Sequence, residues 1–156
     1  MSHNTETSTL SPLTALGVLL TVIVLVAGFV SLTVLLSITE VWGGFLFLLY
    51  WGGIQQLNLT QLPAATIGSL FGVLLIYLAH NLGPLTGLDD RGLPLFLGLI
   101  GTLVYLQILG KFALVNNLAA MLFLTVGTIP QLAGLNVFDI GKAVALSAAY
   151  FGVIAA

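Results

Sequence analysis

Residues 12–38 read PLTALGVLLTVIVLVAGFVSLTVLLSI, a run without a single charged side chain. A stretch of 18 or more apolar residues is long enough to cross the roughly 30 Å hydrocarbon core of a bilayer as a helix. Ser11-Pro12 starts it, since Pro is tolerated in the first helical turn. Thr39-Glu40 ends it at an interface. No Lys or Arg precedes the run, and it exceeds a signal-peptide core, so it reads as a retained helix.

The rest of the chain follows the same pattern. Of 156 residues, 59% are hydrophobic and 5% charged, with mean hydropathy +1.19. Soluble domains are about a quarter charged, so the solvent expected for this surface is lipid. A membrane β-barrel would alternate polar and apolar residues in segments of about ten. The apolar runs here are continuous, which predicts an all-α integral membrane protein of about six transmembrane helices. Their expected ranges are 12–38, 41–57, 63–81, 93–110, 112–129 and 137–156. Residues 1–10 form a polar flexible tail, and 11–156 a single transmembrane domain with possible halves 11–82 and 93–156. Gly83-Pro84 through Gly92 reads as an aqueous loop.

Several function classes fall away. There is no cysteine, which excludes disulfides and thiolate chemistry. A net charge of −2 offers no basic surface to nucleic acid. No nucleophile–base set, phosphate loop, intramembrane carboxylate cluster or metal-ligand spacing is present, so neither an enzyme nor a cofactor is expected.

An internal duplication is one reading of the pattern. Gly52-Gly53-Ile54-Gln55-Gln56-Leu57 resembles Gly127-Thr128-Ile129-Pro130-Gln131-Leu132, and each is followed by a helix with small residues four apart. These are Gly68 and Gly72 in one half, Ala148 and Gly152 in the other. Phe71-Gly72-Val73 aligns with Phe151-Gly152-Val153. Three spans per half would make two inverted repeats, an architecture common in transporters. The competing reading is chance recurrence of Gly, Leu, Phe and Val. The small residues themselves point to close helix packing.

Candidate site residues are uncharged. Gln55, Gln56, Thr128 and Gln131 fall at matching helix ends, where a broken helix could offer carbonyls to a solute. Asn116 and Asn117 are expected early in the fifth helix. They would line a path or, more simply, clamp helices by hydrogen bonds. His80 is a candidate pH-sensitive group, against the plainer reading of an interfacial side chain. Asp139 complements a helix N-terminus, and Lys142 anchors at the interface.

Val41-Trp42-Gly43-Gly44-Phe45 through Tyr50, with Ala64-Ala65-Thr66-Ile67-Gly68, resembles a family of small bacterial inner-membrane proteins: the domain of unknown function numbered one-zero-nine-seven. The likeness covers chiefly the first half, and the polar N-terminal tail departs from it. It implies a short, cysteine-poor multi-helix protein of the bacterial inner membrane and carries over no functional residue. Two functions are expected from the whole. One is a channel or facilitator for a small uncharged solute, acting as a homo-oligomer. The other is an accessory subunit of a larger respiratory or photosynthetic membrane complex.

Overall fold

The computed structural model describes residues 11–88, 91–129 and 136–156. All of their regular structure is helical, with no strand among the described residues. Helix α1 spans Pro12–Leu35 and α2 spans Trp42–Leu48, continuing as a π-helical turn over Leu49–Ile54. A 3-10 turn, Leu59–Gln61, leads into α3, Leu62–Thr86. Then follow α4, Gly92–Ile108; α5, Leu118–Gly127; and α6, Val137–Ala155. Pro12–Leu35, Leu59–Thr86 and Val137–Ala155 are long and apolar enough to cross a membrane. The other three are shorter, and α5, with 10 residues, is only about 15 Å long.

Boundaries differ from the sequence expectation at three places, each for a local reason. Helix α1 stops at Leu35 because Ser37 adopts a left-handed conformation (φ 53) and Ile38 N–H turns back to Thr33 O. Helix α3 runs through Pro84 to Thr86, so the expected aqueous loop supplies its last turn. Pro84 cannot donate to the ladder and sits in the last turn, and Gly87 then closes the helix at φ 68, with Leu88 N–H on Gly83 O. Helix α5 begins at Leu118 rather than near 112. Phe112 and Gly110 are left-handed, and Asn117, in extended geometry, caps the helix by accepting from Ala119 and Ala120 N–H.

Two side-by-side helix pairs form the core. Helix α2 runs parallel to α6: Gly43 lies on Ile140, and Gly44 lies on Ala143 and receives a hydrogen bond on its carbonyl from Ser147 Oγ at 2.9 Å. Helix α3 runs parallel to α5: Asn117 meets Ala64 and Gly68, Ala120 meets Gly72, and Gly127 meets Ile76. The pairs join along α3 and α6, which are antiparallel, since Leu62 reaches Gly152 while Leu70 and Val73 reach Gly141. Gly72 and Gly44 permit this approach by lacking a Cβ. One built on Gly72 would stand 2.7 Å from Ala120 O, and one on Gly44 would stand 3.0 Å from Ala143 O.

Large side chains fill the remaining space. Phe29 of α1 meets Phe45 edge-on at 5.5 Å and Phe151 at 5.4 Å. Trp51 stacks on Phe47 and Trp42 on Phe123. Helix α4 covers α3 through Phe96, which packs with Leu75 and Leu124. Helix α1 buries only Phe29 and Thr33 and leaves most of its apolar surface open.

Candidate functional site

The end of α2 is the most unusual piece of backbone. Its π turn widens the helix, so Gln55 N–H bonds Tyr50 O and Leu57 N–H bonds Trp51 O. Gln56 and Leu57 are consecutive left-handed residues (φ 52 and 57). π turns and left-handed non-glycine residues cluster at functional sites. Side chains hold the turn: Trp51 Nε1 donates to Asn58 O and Gln55 Nε2 donates to Tyr50 Oη, at 3.0 and 3.1 Å. The carbonyls of Gly52, Gly53 and Ile54 come next, and helix ends offer such groups to water, caps or ligands.

The other candidate path residues lie elsewhere. Thr128 sits at the end of α5, where its hydroxyl donates to Thr125 O. Because α2 and α5 belong to antiparallel pairs, Thr128 and Gln55 occupy opposite ends of the molecule. Gln131 lies outside the described residues. Asn116 precedes α5 and Asn117 caps it, rather than both falling inside. Both carboxamides tie helices together: Asn117 Nδ2 donates to Ala64 O of α3 at 2.8 Å, and Asn116 Nδ2 to Leu103 O of α4 at 2.6 Å.

Asn117→Ala removes both the cap and the tie to α3. A cap alone is worth about 0.5–2 kcal/mol. Asn117→Asp keeps the cap's acceptor and loses only the donor. The thermal midpoint should therefore fall further for Asn117→Ala than for Asn117→Asp. Equal midpoints would show that the cap contributes nothing.

His80 and Asn81 bond back to their own helix. The His80 Nδ1–H donates to Ile76 O at 2.9 Å, and Asn81 Nδ2 donates to Tyr77 O. A carbonyl only accepts, so Nδ1 carries the proton. His80 itself is exposed. Gly68 and Gly72 face α5, with Gly68 lying under the Asn117 carboxamide, while Ala148 packs in the core and Gly152 faces Leu62.

A polar knot missed in the sequence joins the α1–α2 connection to α6. Asp139 is 5% exposed. Its Oδ2 accepts from Thr39 N–H at 3.3 Å and Thr39 Oγ1 at 2.9 Å, while Oδ1 pairs with Lys142 Nζ at 2.7 Å. Asn136 caps α6 beneath it. The Asp139–Lys142 spacing was legible, but Thr39 lies a hundred residues away and carries no local signal.

The chain is thus an all-helical protein in which three helices are long and apolar enough to cross a membrane and the placed amides and hydroxyls mostly secure helices. No protein-family model matches it, and no curated protein or solved structure does either.

Proposed function

We propose that this is an integral membrane protein built from two inverted three-helix halves, and that it conducts a small uncharged solute as a homo-oligomer. The observation that carries the reading is the matched pairing of the halves. Exchanging α2 with α5 and α3 with α6 turns the α3/α5 pair into the α6/α2 pair. Gly43-Gly44-Phe45-Leu46-Phe47-Leu48 then overlies Ala119-Ala120-Met121-Leu122-Phe123-Leu124. Gly72 and Ser147, each ten residues beyond the first residue of its helix, both meet the third residue of the partner helix. Asp139 and Ala64, each third in its helix, both bind the segment leading into the partner. This register sets Gly72 against Ser147, not against Gly152 as the sequence pattern suggests. Odd spans per half and opposed directions are the transporter arrangement.

Membrane residence is supported by how the helical hydroxyls are satisfied. Thr21, Ser31, Thr33, Thr66, Thr102 and Thr125 each donate to a carbonyl three or four residues back. In lipid no water is available to do so.

The path in this reading runs over residues 52–57 and 127–132, the last three of which lie outside the described residues. Replacing Gln55, Gln56 and Gln131 together by Leu should abolish solute flux into proteoliposomes, measured by light-scattering recovery with glycerol and urea, while the oligomer stays intact. Unchanged flux in that variant defeats the assignment.

A second reading, an accessory subunit of a larger membrane complex, is favoured by the open apolar length of α1. Native mass spectrometry after gentle extraction separates the two. Multiples of 16.3 kDa fit the homo-oligomer. Stoichiometric foreign subunits fit the accessory role.

A further inference from the structure

The two flanking helices lie differently on their helix pairs. Helix α4 is seated: Phe96, 8% exposed, packs with Leu75 and Leu124, and Ala79, Leu99 and Leu103 close in around them. Helix α1 is held toward its C-terminal end, where Phe29 sits among Phe45, Tyr150 and Phe151. Every residue from Pro12 to Val24 is exposed. Beside this half runs an apolar groove of about 260 Å³, with Val22, Leu25 and Val26 on one side and Leu48, Leu57 and Ile154 on the other. The exchange that overlays the helix pairs sets Leu48 on Leu124 and Ile154 on Ala79. In one half these positions belong to the cluster that Phe96 completes; in the other they are walls of an open groove.

We propose that α1 is a hinged lid beside the widened end of α2. It tilts about Phe29, seats Val22 and Leu25 on Ile154 and Leu48, and shuts the groove as α4 is shut on α3. The shut form is an arrangement the chain already builds in its other half. No polar side chain lines the groove, so no buried polar contact props it open. In lipid, covering apolar side chains gains packing but little hydrophobic energy, so the open and shut forms lie close enough to exchange. Gly28 suits the pivot: a Cβ there would stand 2.5 Å from Tyr150 Oη, and its absence lets α1 turn against that ring. Leu48 immediately precedes the π turn and Leu57 follows it, so the lid decides whether that turn is reached from the side. The inference rests on the matched pairing of the halves and not on conduction of a solute.

The test is double electron–electron resonance on the full chain in nanodiscs, spin-labelled at Leu16→Cys and Gln61→Cys, both exposed positions. Dilution with unlabelled protein restricts the reading to pairs within one chain. At 1.5 Å per residue, Leu16 lies about 20 Å from Phe29 along the helix and Val22 about 10 Å. Bringing Val22 into contact with Ile154 takes about 4 Å, so on the same lever Leu16 travels about 8 Å. Two distance populations separated by about that amount are expected. Leu48→Trp and Ile154→Trp fill the groove from different helices. Each should leave only the longer distance, with helix content by circular dichroism unchanged. A single distance in the doubly labelled protein, or a shorter population that both tryptophan variants leave in place, would overturn the lid. Neither result touches the opposed direction of the halves, which maleimide labelling of Gln61→Cys and Thr128→Cys reads separately.

Discussion

Gly72→Leu and Gly44→Leu should each destabilise the protein by about 3 kcal/mol, whereas Gly98→Leu and Gly101→Leu should leave it unchanged or slightly more stable. All four glycines lie in helices, so helix propensity alone predicts the same gain for each, up to about 1 kcal/mol over glycine. Packing reverses the sign at two of them. A Cβ on Gly72 would meet Phe123 Cβ at 2.6 Å and Ala120 O at 2.7 Å. A Cβ on Gly44 would fall on the Phe29 ring and stand 3.0 Å from Ala143 O. Ala120 O and Ala143 O are helix backbone, which moves only if the whole helix moves. Overfilling a packed core costs about 1–3 kcal/mol, and forcing two helices apart falls at the upper end. Around Gly98 and Gly101 nothing lies within 4 Å. Unfolding midpoints of the four variants in one detergent decide it. Equal destabilisation at all four sites would mean that the helix pairs are not packed as described.

Asp139→Ala should lower stability by about 2–3 kcal/mol and speed amide exchange at Thr39. The carboxylate accepts two hydrogen bonds from Thr39, and bonds to a charged acceptor contribute about 1.5–3 kcal/mol net. Its loss frees the 36–41 connection from α6, so the effect should be local in exchange and global in midpoint. Asp139→Asn keeps one oxygen for Thr39 and should fall between the two. Lys142→Ala should cost less than about 1 kcal/mol, because Lys142 is largely exposed and such pairs are weak. If Lys142→Ala matches Asp139→Ala, the ion pair rather than the tie to Thr39 holds the connection.

Much of this architecture is legible in the chain because apolar helices declare themselves by continuous apolar runs. Continuous runs mark all six helices, and Ser11-Pro12 marks the first start. What pattern misses are choices between competing local bonds. Asn116 and Asn117 look like two polar residues early in a long fifth helix. The Asn117 side chain instead captures the Ala119 and Ala120 amides and starts the helix there. Gly83-Pro84 looks like a loop, yet a proline removes one donor and the helix continues past it. The register of the two helix pairs is hidden for another reason. Gly72 and Gly152 share a motif, but it is Ser147, with a hydroxyl in place of a hydrogen, that meets Gly44 as Gly72 meets Ala120. The candidate site divides the same way. The widened end of α2 coincides with a run of glycines and glutamines in the sequence, whereas the tie from Thr39 to Asp139 emerges only from a contact distant in sequence.

If the two halves cross a membrane in opposite directions, as proposed, the end of α2 and the end of α5 face opposite sides. The chain has no cysteine of its own, and single Gln61→Cys and Thr128→Cys variants therefore report without background. Both positions are exposed. Sealed vesicles of one orientation should be treated with a membrane-impermeant maleimide before and after permeabilisation. Opposed halves predict that one variant reacts at once and the other only after permeabilisation. Labelling of both from the same side would contradict the account.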